Sequence, residues 1–481
     1  MAEVMTKQGK IEGKDMGDYC LYEGIPYAVP PVGELRLRPP VPLTGMSERG
    51  VISCKMSVEE PMGQVIAATE REKKWEDPIN GRMENGIDIG KAERKSPCQT
   101  SAIAWQEKLP EGSFYEKEFY HGERRLEHRN EDCLTLNIWT PVKKEKNSAH
   151  AEEEAGKLPV LFWIHGGAFR QGFGMEREFD GAEYCKRGVI LVTIQYRLGP
   201  FAFLPHPWLE EGEENLAIQD QLLALTWVYE NIRDFGGDPE RITVAGQSAG
   251  GVSVQALLAM PGAQRMIHQV ILQSGGGDGQ LKSRSVSREA FLEYGRELME
   301  KWGIPDRDAL LKLQPDTLLK LAKESQMPTK LIMAKSTQPV GKELLSEEAL
   351  YQQLKPGLRC LLGSNRRDIR VTEEMLAENI PSDLYIGNRA FAEMLKGKAE
   401  CYLYYFVHDL PGEEGGAFHS AELWYMFGTL NRSTRPFVDA DRALSHSMLD
   451  AWSSFVKTGS PTEDGSWKPY RGKPEEIFIW G

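Results

Sequence analysis

The 481 residues carry 58 Lys and Arg against 71 Asp and Glu, a formal charge of −13, which makes a poor match for a polyanionic nucleic acid. Hydrophobic residues at 41% and charged residues at 27% exclude a disordered, collagenous or coiled-coil chain. The length suits several average domains or one α/β unit with insertions, and the order of the elements favours a single domain over 1–481.

The chain opens on Met1-Ala2-Glu3-Val4-Met5-Thr6-Lys7, with no charged segment leading into an apolar one, so no leader peptide is visible and the cytoplasm is the expected location. Residues 66–130 and 142–157 are polar and charge-rich, as solvated loops or insertions are. Short apolar runs at Leu158–Ile164, 189–195, 242–245, Gln269–Gln273 and 358–363 read as buried strands. Between the second and third, Leu216, Leu222, Leu223, Leu225, Val228 and Ile232 recur at helical spacing over 215–233. This alternation predicts a mostly parallel sheet with crossover helices. Residues 284–325 read as amphipathic helices that interrupt the pattern and could roof a site. Insertions are expected at roughly 58–130, 280–350 and 370–418. No apolar run reaches the roughly 18 residues of a membrane span. Seven cysteines without a Cys-x-x-Cys pair, and nine histidines without a ligand spacing, predict neither a disulfide scaffold nor a metal site.

Gly246-Gln247-Ser248-Ala249-Gly250 matches Gly-x-Ser-x-Gly, a tight turn that pushes a serine hydroxyl into the open. The motif alone is a weak signal. Here Arg241-Ile242-Thr243-Val244-Ala245 reads as a strand ending at it and 251–260 as a helix leaving it, which is the required context. A serine that attacks a carbonyl needs fixed donors for the oxyanion. His165-Gly166-Gly167-Ala168 supplies backbone N–H groups at the end of an apolar strand, and Ala249 N–H adds one at a helix start.

The serine must also lose its proton to a base, and in the chain order Ser, acid, His the candidates are His268, His408, His419 and His446. His419, in the glycine-rich Gly415-Gly416-Ala417-Phe418-His419-Ser420, is best placed. Asp368, after the strand at 358–363, is the orienting acid, with Glu373 and Glu374 as alternatives. Ala168, Phe169, Phe173, Trp105 and Phe201 could line a substrate pocket, although aromatic residues there serve equally as core. Ser274-Gly275-Gly276-Gly277-Asp278-Gly279 lacks the Gly-Lys-Ser/Thr of a phosphate loop.

These motifs resemble the type B carboxylesterase family, the cholinesterase-like branch of the α/β-hydrolases, over nearly the whole chain. The likeness is carried by Gly24-Ile25-Pro26-Tyr27-Ala28, Pro30-Pro31-Val32-Gly33, Glu131-Asp132-Cys133-Leu134, His165-Gly166-Gly167-Ala168-Phe169, Tyr196-Arg197-Leu198-Gly199, Asp220-Gln221, Phe235-Gly236-Gly237-Asp238-Pro239 and the serine turn. It implies an α/β-hydrolase fold with a helical cap insertion and a small N-terminal antiparallel sheet. It further implies a triad of Ser248, His419 and Asp368, oxyanion donors at Gly166, Gly167 and Ala249, and a deep apolar pocket. A small-molecule ester would be the partner, no cofactor would be needed, and a homodimer is one compatible assembly. Carbamates, amides, thioesters or lipids remain alternative substrates for the same triad. A catalytically inactive binding protein is the rival of another class, and the intact triad argues against it.

Three departures stand out. Gln247 replaces the family's frequent Glu, which keeps hydrogen bonding but removes a charge. The 51 residues from Asp368 to His419 make a short interval, which implies a reduced cap and a more open pocket. Cys98 and Cys133 resemble a loop disulfide pair of secreted members, a pair that a cytoplasmic protein would keep reduced.

Overall fold

The computed structural model describes residues 2–43, 102–142, 157–210, 212–279, 285–325, 333–335, 354 and 356–481. Eleven strands form one sheet. In chain order they are β1 (Ala2–Thr6), β2 (Gly9–Asp15), β3 (Tyr19–Pro26), β4 (Thr135–Pro141), β5 (Leu158–Ile164), β6 (Ile190–Ile194), β7 (Gly237–Gln247), β8 (Gln269–Gln273), β9 (Leu358–Asn365), β10 (Ala399–Phe406) and β11 (Ile477–Trp480). Their spatial order is β1-β2-β3-β4-β6-β5-β7-β8-β9-β10-β11. Every pair from β6 to β11 is parallel, and every pair from β1 to β6 is antiparallel. The small N-terminal antiparallel sheet is thus continuous with the large one.

Hydrophobicity explains where each part sits. Val160, Leu161, Phe162, Trp163 and Ile164 of β5 are all fully buried, because helices cover both faces of a parallel sheet. Their side chains alternate between two cores: Val160, Phe162 and Ile164 face one, Leu161 and Trp163 the other. The first core receives α1 (Leu216–Asn231) and α2 (Ala249–Leu258), and the second receives α7 (Asp439–Thr458).

The insertion at 284–325 folds as α3 (Arg288–Trp302), α4 (Arg307–Leu311) and α5 (Pro315–Glu324). Ser287 caps α3 by accepting from Ala290 N, and Gly303 ends it in the left-handed conformation at φ 67°. Its apolar stripe, Leu298 and Met299, meets Leu310, Leu318, Leu319, Phe201 and Leu204 in a third cluster. Ion pairs to two buried carboxylates bolt it down: Arg307 to Glu213, which also pairs with Arg38, and the half-buried Arg288 to Glu214. Within the described residues, α6 (Asp383–Met394) is the main helix of the 370–418 insertion. Among the described residues no helix is long and apolar enough to cross a membrane, and no group of three or more His, Cys, Asp or Glu could hold a metal ion.

Candidate active site

The parallel strands end side by side, and the loops beyond their carboxyl ends carry the predicted residues, as open α/β sheets generally arrange. Ser248 follows β7 directly. Its backbone sits at φ 55°, ψ −121°, a strained setting for a residue with a side chain. Ser248 N donates to Gln273 O of β8 (2.8 Å), which fixes the turn from the adjacent strand. The turn is possible because Gly250 has no side chain: a Cβ there would lie 2.0 Å from Ile164 O. Strand β5 and helix α2 therefore touch backbone to backbone beneath the serine.

Beyond β5, Gly167, Ala168 and Phe169 turn through three successive positive φ values of 96°, 55° and 57°. A Cβ on Gly166 would lie 3.2 Å from Ser248 Cβ, so the loop runs along the serine. His165 steadies it. Gly166 O can only accept, so His165 Nδ1 donates to it (2.9 Å), and the ring stacks on Tyr196 at 4.3 Å between centroids. Burial pushes the imidazole down to about 4, so His165 stays neutral. Tyr196 in turn donates to His165 O (2.8 Å), and its neighbour Arg197 is clasped by Asp220 through Nε (2.9 Å) and Nη2 (2.6 Å).

His419 and Asp368 meet across 51 residues of chain: Nδ1 of the imidazole is hydrogen-bonded to Asp368 Oδ1. Both side chains are buried. Asp368 also accepts from Asn365 N (3.0 Å, on Oδ2) and Ile369 N (3.1 Å, on Oδ1), so its carboxylate is held by three donors. The flanking arginines pair elsewhere, Arg366 with Asp409 and Arg367 with Glu373. The other candidates are occupied differently: His408 bonds Asp441, His268 pairs with Glu240, and His446 is exposed on α7. Glu373 and Glu374 are both exposed.

Nε2 of His419 is bonded to the Gln247 side-chain amide at 3.2 Å, and among the described residues not to the Ser248 hydroxyl. Two further groups were not anticipated from the sequence. Glu422, three residues past His419, is fully buried behind the pair, where it accepts from Asn365 Nδ2 and from Gln273 Nε2 (3.2 Å). Burial, with Asp368 adding, pushes its carboxyl up to about 7. Tyr115 lies with its hydroxyl 3.5 Å from His419 O, and Phe114 meets Phe418 edge-on at 4.8 Å, so an aromatic wall adjoins His419. Glu422 opens the short helix Glu422–Met426 that follows the His419 turn, and nothing in the sequence singled it out; Tyr115 and Phe114 lie in a charge-rich stretch that read as a loop.

Of the expected pocket residues, Ala168 is exposed at the loop tip. Phe169 is buried against Phe203, Phe173 is buried against Tyr120, and Phe201 sits in the third apolar cluster. Trp105 is half-buried beneath the Arg129 guanidinium, 4.9 Å from its ring centroid. Ser248, Gly166 and Gly167 are partly exposed. Cys133 is buried, and Cys98 lies outside the described residues.

A parallel sheet whose serine turn and buried His–Asp pair lie beyond its strand ends defines an α/β-hydrolase. The profile of the carboxylesterase family matches residues 1–383 and 382–479, and the chain belongs to that family. Over 529 aligned residues it is 29% identical to the para-nitrobenzyl esterase of Bacillus subtilis strain 168, covering 99% of this chain and 94% of that protein. It is 34% identical to the fumonisin B1 esterase of Sphingopyxis macrogoltabida, over 61% of this chain and 43% of that one. Among solved structures, a para-nitrobenzyl esterase superposes with a TM-score of 0.74 at 27% identity, covering 100% and 95% of the two chains. A carboxylesterase of Geobacillus stearothermophilus gives 0.70 at 26% identity, covering 100% and 96%. The protein is a carboxylic ester hydrolase.

Proposed function

We propose that this protein is a serine carboxylesterase that cleaves small esters in two steps, with Ser248 as nucleophile, His419 as base and Asp368 as the acid that orients it. The observation that carries this reading is the buried bond between His419 Nδ1 and Asp368 Oδ1, at the same sheet edge as the strained Ser248 turn. Asp368 accepts a hydrogen bond from Nδ1–H, which keeps the ring proton on Nδ1 and leaves Nε2 with a lone pair able to take a proton. Nε2 removes the hydroxyl proton as Ser248 Oγ attacks the ester carbonyl, and Gly166, Gly167 and Ala249 N–H groups bind the resulting oxyanion. The tetrahedral species collapses, His419 returns the proton to the departing alcohol, and Ser248 is left acylated. Water, deprotonated by the same Nε2, then attacks the acyl-enzyme; Oγ leaves with that proton and the carboxylic acid is released. Preorganised hydrogen-bond donors supply the main rate enhancement in such a site, so no cofactor enters the scheme. On this reading the whole chain acts as one catalytic domain.

The test is hydrolysis of short and medium p-nitrophenyl esters by wild type and Ser248→Ala, with peptide mass mapping after a fluorophosphonate probe. Turnover lost in a folded variant and a single label on Ser248 are expected. A folded wild type with neither turnover nor label would refute the mechanism and favour a binding role.

A further inference from the structure

The bond at His419 Nε2 has a direction that chemistry fixes. Asp368 accepts a hydrogen bond from Nδ1–H, so in the neutral ring Nε2 carries only a lone pair, and its partner must donate. Gln247 therefore presents its amide N–H, at 3.2 Å, to the lone pair that the Ser248 proton requires. Gln247 is buried, and its Oε1 reaches the oxyanion loop, 2.8 Å from where a Cβ on Gly166 would stand. The side chain thus spans the gap between base and oxyanion donors. The oxygen of a departing alcohol must come to this same Nε2 to be protonated.

Resting on the Ser248, His419 and Asp368 reading, we infer that Gln247 is a positioning residue that holds the base's lone pair in the resting enzyme and yields it when an ester enters. An amide is suited to both halves of the cycle. It donates to the neutral ring, and by rotating it accepts from Nε2–H once the proton has moved. A glutamate could do only the second, and together with His419 it would hold one extra proton, as a carboxylic acid beside imidazole or as a carboxylate beside imidazolium. Either protonated form denies Ser248 its base.

The surroundings of the imidazole are mostly acidic. Asp368 faces it from the loop after β9 and Glu422 from its own segment, while the Tyr115 hydroxyl of the 113–120 segment reaches the His419 backbone carbonyl. Arg435 lies over the neighbouring Phe418, 5.1 Å from its centroid, and is paired with Glu118. Asp409, which accepts from Ala417 N, is paired with Arg366, and Arg367 with Glu373. A further carboxylate at 247 would join an uncompensated set, whereas the amide adds no charge.

The experiment is the rate of Ser248 labelling by an uncharged fluorophosphonate across about pH 5 to 9 for wild type, Gln247→Glu and Gln247→Met, each checked for folding by urea denaturation. The acid limb of Gln247→Glu should lie at least about one pH unit above wild type, the size of shift a neighbouring charge produces. Gln247→Met, which frees the lone pair, should label faster on the alkaline plateau, by roughly fivefold for a bond of ordinary net strength. Should the Met variant fail to fold, the Glu profile alone decides. An unshifted limb in folded Gln247→Glu, or slower plateau labelling in folded Gln247→Met, would overturn the inference while leaving the triad intact. Absence of any Ser248 label in wild type would overturn the triad, and this inference with it.

Discussion

Asp368→Asn tests the acid where the structure gives most leverage. The carboxylate accepts on both oxygens, from Asn365 N on Oδ2 and from Ile369 N and His419 on Oδ1. An amide has only one acceptor. If its oxygen stays with Asn365 N, its NH2 faces Nδ1, the imidazole proton moves to Nε2, and the base is lost. If it turns round, the tautomer survives but two donors face each other at Asn365. In both cases the negative charge that stabilises the imidazolium is gone. Two unit charges about 4 Å apart attract by about 4 kcal/mol at an effective dielectric of about 20. The wrong tautomer, or the orphaned donor, adds roughly 1 to 2 kcal/mol. At 1.36 kcal/mol for each tenfold, the sum predicts a fall in kcat of about 10⁴. Initial rates on p-nitrophenyl acetate, with active sites counted by fluorophosphonate titration, measure it. A folded Asp368→Asn retaining more than about a tenth of wild-type kcat would refute the role given to Asp368.

Other outcomes are equally specific. Glu422 is raised by burial to about 7, so the stability it contributes is complete below about pH 4.5 and is lost as pH rises toward 7, by about 3 kcal/mol. Glu422→Gln should flatten the urea-measured stability profile over that window, and an unchanged slope would contradict the assignment. Glu176 and Glu178 are both buried, and burial pushes both carboxyls upward. Glu178→Gln mimics the protonated acid, so its stability relative to wild type should rise with pH as the pair is driven to ionise; a pH-independent difference would argue that the pair is already solvated. Asp220→Asn strands the buried Arg197 guanidinium and should cost about 3 to 5 kcal/mol in urea unfolding. Gly167→Val puts a Cβ 2.0 Å from Gln171 O at a positive φ, so acylation of Ser248 should fall at least about a hundredfold; near-normal labelling would mean the loop is not the oxyanion site.

The parallel strands were legible because burial on two faces leaves continuous apolar runs, and Leu158–Ile164 and Gln269–Gln273 have the bounds their sequence suggests. β7 begins at Gly237, five residues before the expected start, because Gly-Asp-Pro-Glu reads as a turn while β5 pairs with Gly237 through a register shift. β1 and β2 bury little, and their polar alternation gives no clear run. In the site, the serine turn stood out because its spacing is local. The His419 and Asp368 pairing is a contact across 51 residues; chain order and loop position narrowed the choice to these two among several candidates, and the resemblance agreed with it. The Gln247 contact was illegible in the sequence, since a hydrogen bond's direction depends on which imidazole nitrogen Asp368 occupies.

The last strand has a consequence for the order in which this protein becomes active. β11 pairs with β10, and Trp480 O accepts from Val407 N (2.7 Å) and His408 N (3.1 Å), where the chain leaves the sheet toward His419. A ribosome adding about 5 to 20 residues per second releases the chain from its N-terminal side first. Strands β5 to β8 and the serine turn are therefore synthesised before His419 and before the strand that braces its segment. On the proposed triad, a nascent chain would carry Ser248 before His419, and the strand at 477–480, which braces the segment leading to His419, is translated after both.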